Sequence, residues 1–388
     1  MRKFFLALLI FNISMASGQS IRRLDNTTIT AATLDKKISG LMQAGTVHGL
    51  AIAIFNNNKV VYKKTFGYKN ITTREPINEQ SNFYGASLSK AVFAMLVLKL
   101  VEEGKLDLDK PLQEYLPKPI YEYKPATKWH DHYEDLKHDS LYRKITARMC
   151  LAHTSGFPNW RWDYPGEKLH ARFQPGSQYG YSGEGMVYLQ VVLERMFEQP
   201  LEKMMQEKIF GPAGMRLSAY SWKPEFEKDF VYGHGTKGEL LEKDKDNEPR
   251  SASTLETTLH DYVRFTEAVL QNKLITPASR KLMFTPQLRL RSVQQHGPLR
   301  FKDTTMNDGI QLATGLGWIV LQSPHGTGAL KEGHGDGFQH YTILFPEKGT
   351  GVVILGNSDN AESIFKELLE ISIADVYTPW YWENYIPY

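Results

Sequence analysis

Ser87-Leu-Ser-Lys90 sets a hydroxyl and an amine three residues apart. On a helix such residues share a face, so Ser87 Oγ and Lys90 Nζ can meet. A serine hydroxyl attacks a carbonyl only when a base takes its proton. A lysine does this when burial or nearby positive charge lowers its pKa. A helix starting at Ser87 adds partial positive charge beside the Ser87 N–H, where an oxyanion would develop. The chemistry this suggests is acyl transfer to Ser87. Ser89 is a second hydroxyl, but its position points off the Lys90 face. A Ser-x-x-Lys spacing also arises by chance, so its company decides.

That company lies far along the chain. Residues 174–183 carry Tyr181-Ser182-Gly183 after a Pro-Gly turn, and residues 332–338 read Glu-Gly-His-Gly-Asp-Gly-Phe. His153 and Ser155 look like a triad fragment, for which a structural role is expected. Residues 129–139 concentrate His, Asp and Glu in a segment, 118–143, that reads as an insertion; their spacing fits no zinc signature. A solvated loop, or one whose aromatics wall a cleft, is expected there. Cys150 is the one cysteine, which rules out an internal disulfide and a cysteine metal cluster. No metal and no cofactor is implied.

The elements that must position these groups follow from periodicity. Helices are expected over residues 29–44, 87–103, 258–270 (Thr258 as cap) and 361–374. Strands are expected over 49–55, 60–66, 316–321, 340–345 and 351–355. Between them, from about 105 to 285, the chain reads as mostly helical with many turns. Strands near both ends around a helical middle predict an α+β fold. One antiparallel sheet flanked by helices is built from both chain ends (about 25–85 and 312–375), with a mostly helical domain inserted. Residues 376–388, rich in Trp, Tyr and Pro, are expected to form an aromatic strap on the body.

Residues 1–19 have a signal-peptide layout: Arg2 and Lys3, an apolar run over 4–13, then Ala16, Ser17 and Gly18. Export is therefore expected, to a periplasmic or secreted location, with no stable membrane insertion afterwards; the lack of disulfides points to a bacterial envelope. The 388 residues carry a formal charge of only +3, with 41% hydrophobic and 23% charged residues. This is ordinary globular composition, and it has no basic stripe for nucleic acid.

Taken jointly, the motifs resemble the serine β-lactamase and penicillin-binding-protein superfamily, in its class C β-lactamase, DD-peptidase and esterase branch. Further segments carry the likeness: 104–117, 145–156 ending in His-Thr-Ser-Gly, 209–215, 315–318 and 346–357. The resemblance covers roughly residues 30–375. It implies a sheet domain and a helical domain with the site between them. It implies Ser87 as nucleophile, Lys90 as its partner and Tyr181 as the tyrosine of Tyr-x-Asn. It sets the third motif, Lys-Thr-Gly or His-x-Gly, at His334-Gly335-Asp336, and makes the Ser87 and Gly337 N–H groups the oxyanion hole. Lys90 and Tyr181 both stay open as the main base. Gly183 stands where many members have Asn, and His334 and Gly335 replace a lysine and a hydroxyl that hold a substrate carboxylate. The implied substrate is an ester, a D-amino-acid peptide or, weakly, a β-lactam, small or peptidic and possibly derived from the cell wall. The rival is a non-catalytic cell-wall-fragment binder on the same fold.

Overall fold

The computed structural model describes residues 20–245 and 248–388. The signal-peptide expectation falls on residues 1–19, outside the described residues. Among the described residues, no helix is long and apolar enough to cross a membrane.

Aliphatic runs build a nine-stranded sheet. In chain order its strands are β1 (Gly49–Asn56), β2 (Lys59–Asn70), β3 (Glu75–Pro76), β4 (Leu288–Arg289), β5 (Ala313–Thr314), β6 (Ile319–Ser323), β7 (Gly326–Gly335), β8 (Phe338–Phe345) and β9 (Thr350–Gly356). In space they run β4-β5-β6-β7-β8-β9-β1-β2-β3, antiparallel throughout. The two ends of the chain meet where β9 pairs with β1, Val353 opposite Ala53. Both strands are buried along their whole length, hence their unbroken apolar runs.

The principal helices are α1 (Ala31–Ala44), α2 (Leu88–Glu102), α3 (Gly183–Phe197), α4 (Leu259–Leu270) and α5 (Phe365–Ile373). One sheet face packs on α1 and α5, through Leu34, Ile38, Leu368 and Leu369. The other packs on α2 and the middle of the chain. Every residue of α2 from Leu88 to Leu98 is buried. A helix apolar on all sides must lie inside, so α2 is the axle between sheet and helical half. Ser87 stands at its N-terminus, where the sheet and that half meet.

Three sequence expectations shift. The middle holds few long helices and many short 3-10 turns. The last helix opens as a 3-10 turn over Ala361–Ile364 before α5. The expected strand at 316–321 is β6, at Ile319–Ser323, and the ten-residue β7 after it is not visible in the periodicity, although the resemblance sets its third motif on a strand there. Its glycines and charges hide its alternation.

Residues 375–388 lie along the α1/α5 side. Trp382 is fully buried, donates through Nε1 to Ser292 Oγ (3.0 Å) and accepts at its carbonyl from Gln295 N–H (2.7 Å). The C-terminus thereby clamps the 292–295 segment beside the site.

Candidate active site

The turn before α2 is tight. Ala86 has φ +45° and Gly85 N–H donates to Leu255 O (2.6 Å). Ser89, fully buried, accepts from Leu255 N–H (2.9 Å) and donates to Ala86 O (2.5 Å). It fixes the turn and leaves Ser87 at the cleft. Lys90 Nζ lies 2.9 Å from Ser87 Oγ and 2.7 Å from Ala252 O. Tyr181 lines the same cleft as Ser87, and Lys90 Nζ sits 4.8 Å from the Tyr181 ring centre. Hydroxyl, amine and phenol thus share one cleft of about 320 Å³.

Electrostatics separates the two bases that the sequence left open. Burial, with the Lys331 charge adding to it, drives Lys90 well below the usual lysine range; Glu332 pulls the other way. Burial and the Glu332 carboxylate push Tyr181 well above the usual phenol range, against a small opposing effect of Ser87. A neutral amine facing a neutral phenol is the state these surroundings favour.

The cation beside this pair is Lys331, three residues before the position the sequence reading gave the third motif. Its Nζ lies 5.5 Å from the Tyr181 ring centre and 3.0 Å from Glu332 Oε1. Glu332 also accepts from Gln295 Nε2 (3.0 Å). The pair is buried, Lys331 at 2% and Glu332 at 4% exposure.

Strand register explains the correction. Gly335 pairs with Phe338 across the two-residue turn Asp336-Gly337. Odd-numbered residues of β7 therefore hydrogen-bond to β8, and Glu332 and His334 direct their backbone groups to the other edge. β6 covers that edge only as far as Leu330, opposite Ile319. The His334 N–H is left on the open edge, and His334 lines the cleft. Its imidazole is engaged by Glu362, with Nε2 3.1 Å from Glu362 Oε2.

Three other expected roles change. Gly337 N–H is committed to Asp359 Oδ1 (2.8 Å), so it is not an oxyanion donor. Gly335 and Asp336 are not among the residues lining the cleft: a Cβ at Gly335 would strike the Tyr84 ring, and Asp336 is exposed on the turn. Gly183 is buried, with its N–H on Asn159 Oδ1 (3.1 Å). A Cβ there would come within 2.8 Å of the Trp160 ring. Glycine lets Trp160 and Asn159 close over α3, and Asn159 lines the cleft instead.

His153 stacks on Tyr181 at 4.5 Å and accepts from Ser182 N–H at Nδ1 (3.1 Å). Ser155 Oγ accepts from Phe157 N–H (3.3 Å). The His-Thr-Ser-Gly segment thus holds the Tyr181 loop. In the 118–143 insertion, Asp131 is occupied by Ala126 N–H, Thr127 and Arg195, and Asp139 by Leu141 and Ala171 N–H groups. Among the described residues, no group of His, Cys, Asp and Glu is arranged to hold a metal. Trp129 of this insertion meets Trp160 and Trp162 edge-on at 5.9 and 4.7 Å, and those two stack at 5.1 Å. Arg161 between them forms a buried bidentate pair with Glu184 of α3 (2.8 Å). The insertion therefore backs one wall of the cleft.

Sequence reasoning missed Lys331, Glu332, Asn159 and Gln295. None of them left a signal in the sequence, because the strand that carries Lys331 and Glu332 shows no readable alternation.

Comparison with known proteins bears on the fold and the family. A penicillin-binding protein of Bacillus subtilis (strain 168) is 24% identical over 335 residues, 77% of this chain. The chain spans 66% of that relative's length. A D-alanine carboxypeptidase AmpC from Burkholderia cenocepacia superposes with TM-score 0.66 at 20% identity, covering 84% of this chain and 93% of that one. EstCE1, described as a hydrolase with promiscuous acyltransferase activity, superposes with TM-score 0.70 at 17% identity, covering 89% and 99%. The sequence model of the Beta-lactamase family matches residues 34–373, so the chain belongs to the Beta-lactamase family.

Proposed function

We propose that the chain is a serine acyl-hydrolase that works through an acyl-enzyme on Ser87 and prefers esters. The observation that carries this reading is the meeting of Ser87, Lys90 and Tyr181 in one cleft, with Lys90 Nζ 2.9 Å from Ser87 Oγ and 4.8 Å from the Tyr181 ring centre. Ser87 Oγ bonds to the acyl carbon as its proton passes to Lys90. The bond to the leaving oxygen then breaks, and that oxygen takes the proton through Tyr181. Water, deprotonated by the same amine, afterwards splits the acyl-enzyme and restores Ser87. The Ser87 and His334 N–H groups are the oxyanion donors.

Two features favour an ester over a β-lactam or a D-peptide. The charge of Lys331 is spent on Glu332, and Gly183 supplies no side-chain amide. The first weakens recognition of a carboxylate beside the scissile bond, and the second weakens the hold on an amide-bearing acyl side chain. D-peptides and β-lactams, including cell-wall fragments, remain the comparison substrates, and the exported location implied by residues 1–19 belongs to this reading. The binding-only alternative predicts an unlabelled chain. A fluorophosphonate probe read by intact mass is expected to add one label to the wild type and none to Ser87→Ala; an unlabelled wild type overturns the hydrolase reading.

The aromatic wall is read as the acyl subsite. Each edge-on aromatic contact contributes about 0.5–1.5 kcal/mol. Trp129 braces Trp160 and Trp162, which line the cleft, so Trp129→Ala is expected to loosen that wall and lower kcat/KM for an aromatic acyl ester relative to acetyl. An unchanged ratio in a p-nitrophenyl ester panel removes the insertion from specificity.

A further inference from the structure

Tyr181 is a partition as well as a catalytic group. One side faces Ser87. The other is a wall of a second chamber of about 570 Å³, which shares Asn159, Tyr181 and His296 with the first. That volume is in the range of ligand sites.

The chamber's chemistry differs from that of the Ser87 cleft. Arg172 stacks on Tyr164, its guanidinium 3.9 Å from the ring centre, and Arg300 on Phe301 at 4.4 Å. Stacking fixes the guanidinium planes and leaves their N–H edges to bind. Each spends one nitrogen on a carbonyl, Arg172 Nη2 on Lys168 O (3.3 Å) and Arg300 Nη1 on Gly297 O (2.8 Å). Among the described residues neither has an acidic partner. One carboxylate, Asp163, also lines the chamber, with Oδ2 accepting from Trp160 N–H (3.1 Å). Two cations against one acid, between aromatic faces, suit an anion on an apolar or aromatic body.

We infer that this chamber receives the leaving group, and that the leaving group carries a carboxylate on an aromatic or apolar frame. This rests on the hydrolase reading, since the leaving oxygen takes its proton at Tyr181 and departs past that ring. It is compatible with the neutralised Lys331: the anion is recognised beyond Tyr181, not beside the scissile bond.

The test compares 4-nitrophenyl acetate with 5-acetoxy-2-nitrobenzoate, which differ by one leaving-group carboxylate. The wild type is expected to favour the carboxylated ester in kcat/KM by about 10-fold or more, the usual scale of a charged hydrogen bond. The double variant Arg172→Ala, Arg300→Ala should lose that preference through KM and leave the neutral ester unchanged. Equal preference in the wild type, or equal losses on both esters, overturns the inference. Calorimetric titration with 5-hydroxy-2-nitrobenzoate separates the two readings. If the chain hydrolyses neither ester and takes no fluorophosphonate, the hydrolase reading fails, while arginine-dependent binding of the phenol still upholds the chamber. Absence of binding to the wild type overturns the chamber.

Discussion

Lys90→Met is expected to slow acylation of Ser87 by about 10³-fold or more, and Tyr181→Phe by about 10²-fold, within the usual range for acid–base groups. The order follows from which group can be uncharged and basic at neutral pH. Lys90 is fully enclosed, close to Lys331, and 2.9 Å from the oxygen it must deprotonate. Its neutral form is favoured before substrate arrives. Burial and the Glu332 carboxylate keep the Tyr181 phenol from ionising, which suits the proton-passing role proposed for it. Methionine fills the lysine's space without a nitrogen, which isolates the chemistry from packing. The rate of fluorophosphonate labelling reports the first step alone, and steady-state ester hydrolysis reports both steps. A larger loss in Tyr181→Phe than in Lys90→Met would make the phenol the base.

The nucleophile end of this machinery was legible because helix geometry is local. Ser87 and Lys90 are three apart on one helix, and i, i+3 neighbours meet whatever the rest of the fold does. The sheet was legible where burial on both faces gave long aliphatic runs, as in β1 and β9. β7 was not, because its glycines each answer a contact that is remote in sequence. Gly333 would bring a Cβ within 3.0 Å of Gly85 O, and Gly335 meets the Tyr84 ring. Such a strand looks like loop until its partners are known. With β7 unseen, nothing set the register, and a slip of three residues exchanged Lys331 for His334 and the His334 N–H for that of Gly337. Resemblance placed the motif in the right hairpin; only pairing with β8 could place it on the right residues. Asn159 was invisible for another reason. It reaches the cleft through its contact with Gly183, 24 residues away in the sequence.

Glu332 yields the second large effect, because it is where this site departs most from a simple cationic pocket. Glu332→Gln is expected to destabilise the fold by about 3–5 kcal/mol, the usual cost of stranding one member of a buried ion pair. Thermal unfolding near pH 7 reads it. The pH dependence has a definite sign. Lys331 and backbone hydrogen bonding hold the folded-state Glu332 pKa far below its ordinary value of 4.5, despite burial that pushes it upward. A depressed pKa contributes stability that is present above the unfolded value and lost as pH falls below it. The wild-type advantage over Glu332→Gln should therefore be full near neutrality and shrink as pH falls below about 4.5. Activity gives an independent sign. The Glu332 charge raises the Lys90 pKa and Lys331 lowers it. On the proposed mechanism hydrolysis needs neutral Lys90, so the rate is expected to fall as pH drops through the pKa of that amine. Glu332→Gln should move this acid limb to lower pH, and Lys331→Met should move it higher. Limbs that stay fixed, or move together, would mean that the two buried charges do not tune the amine.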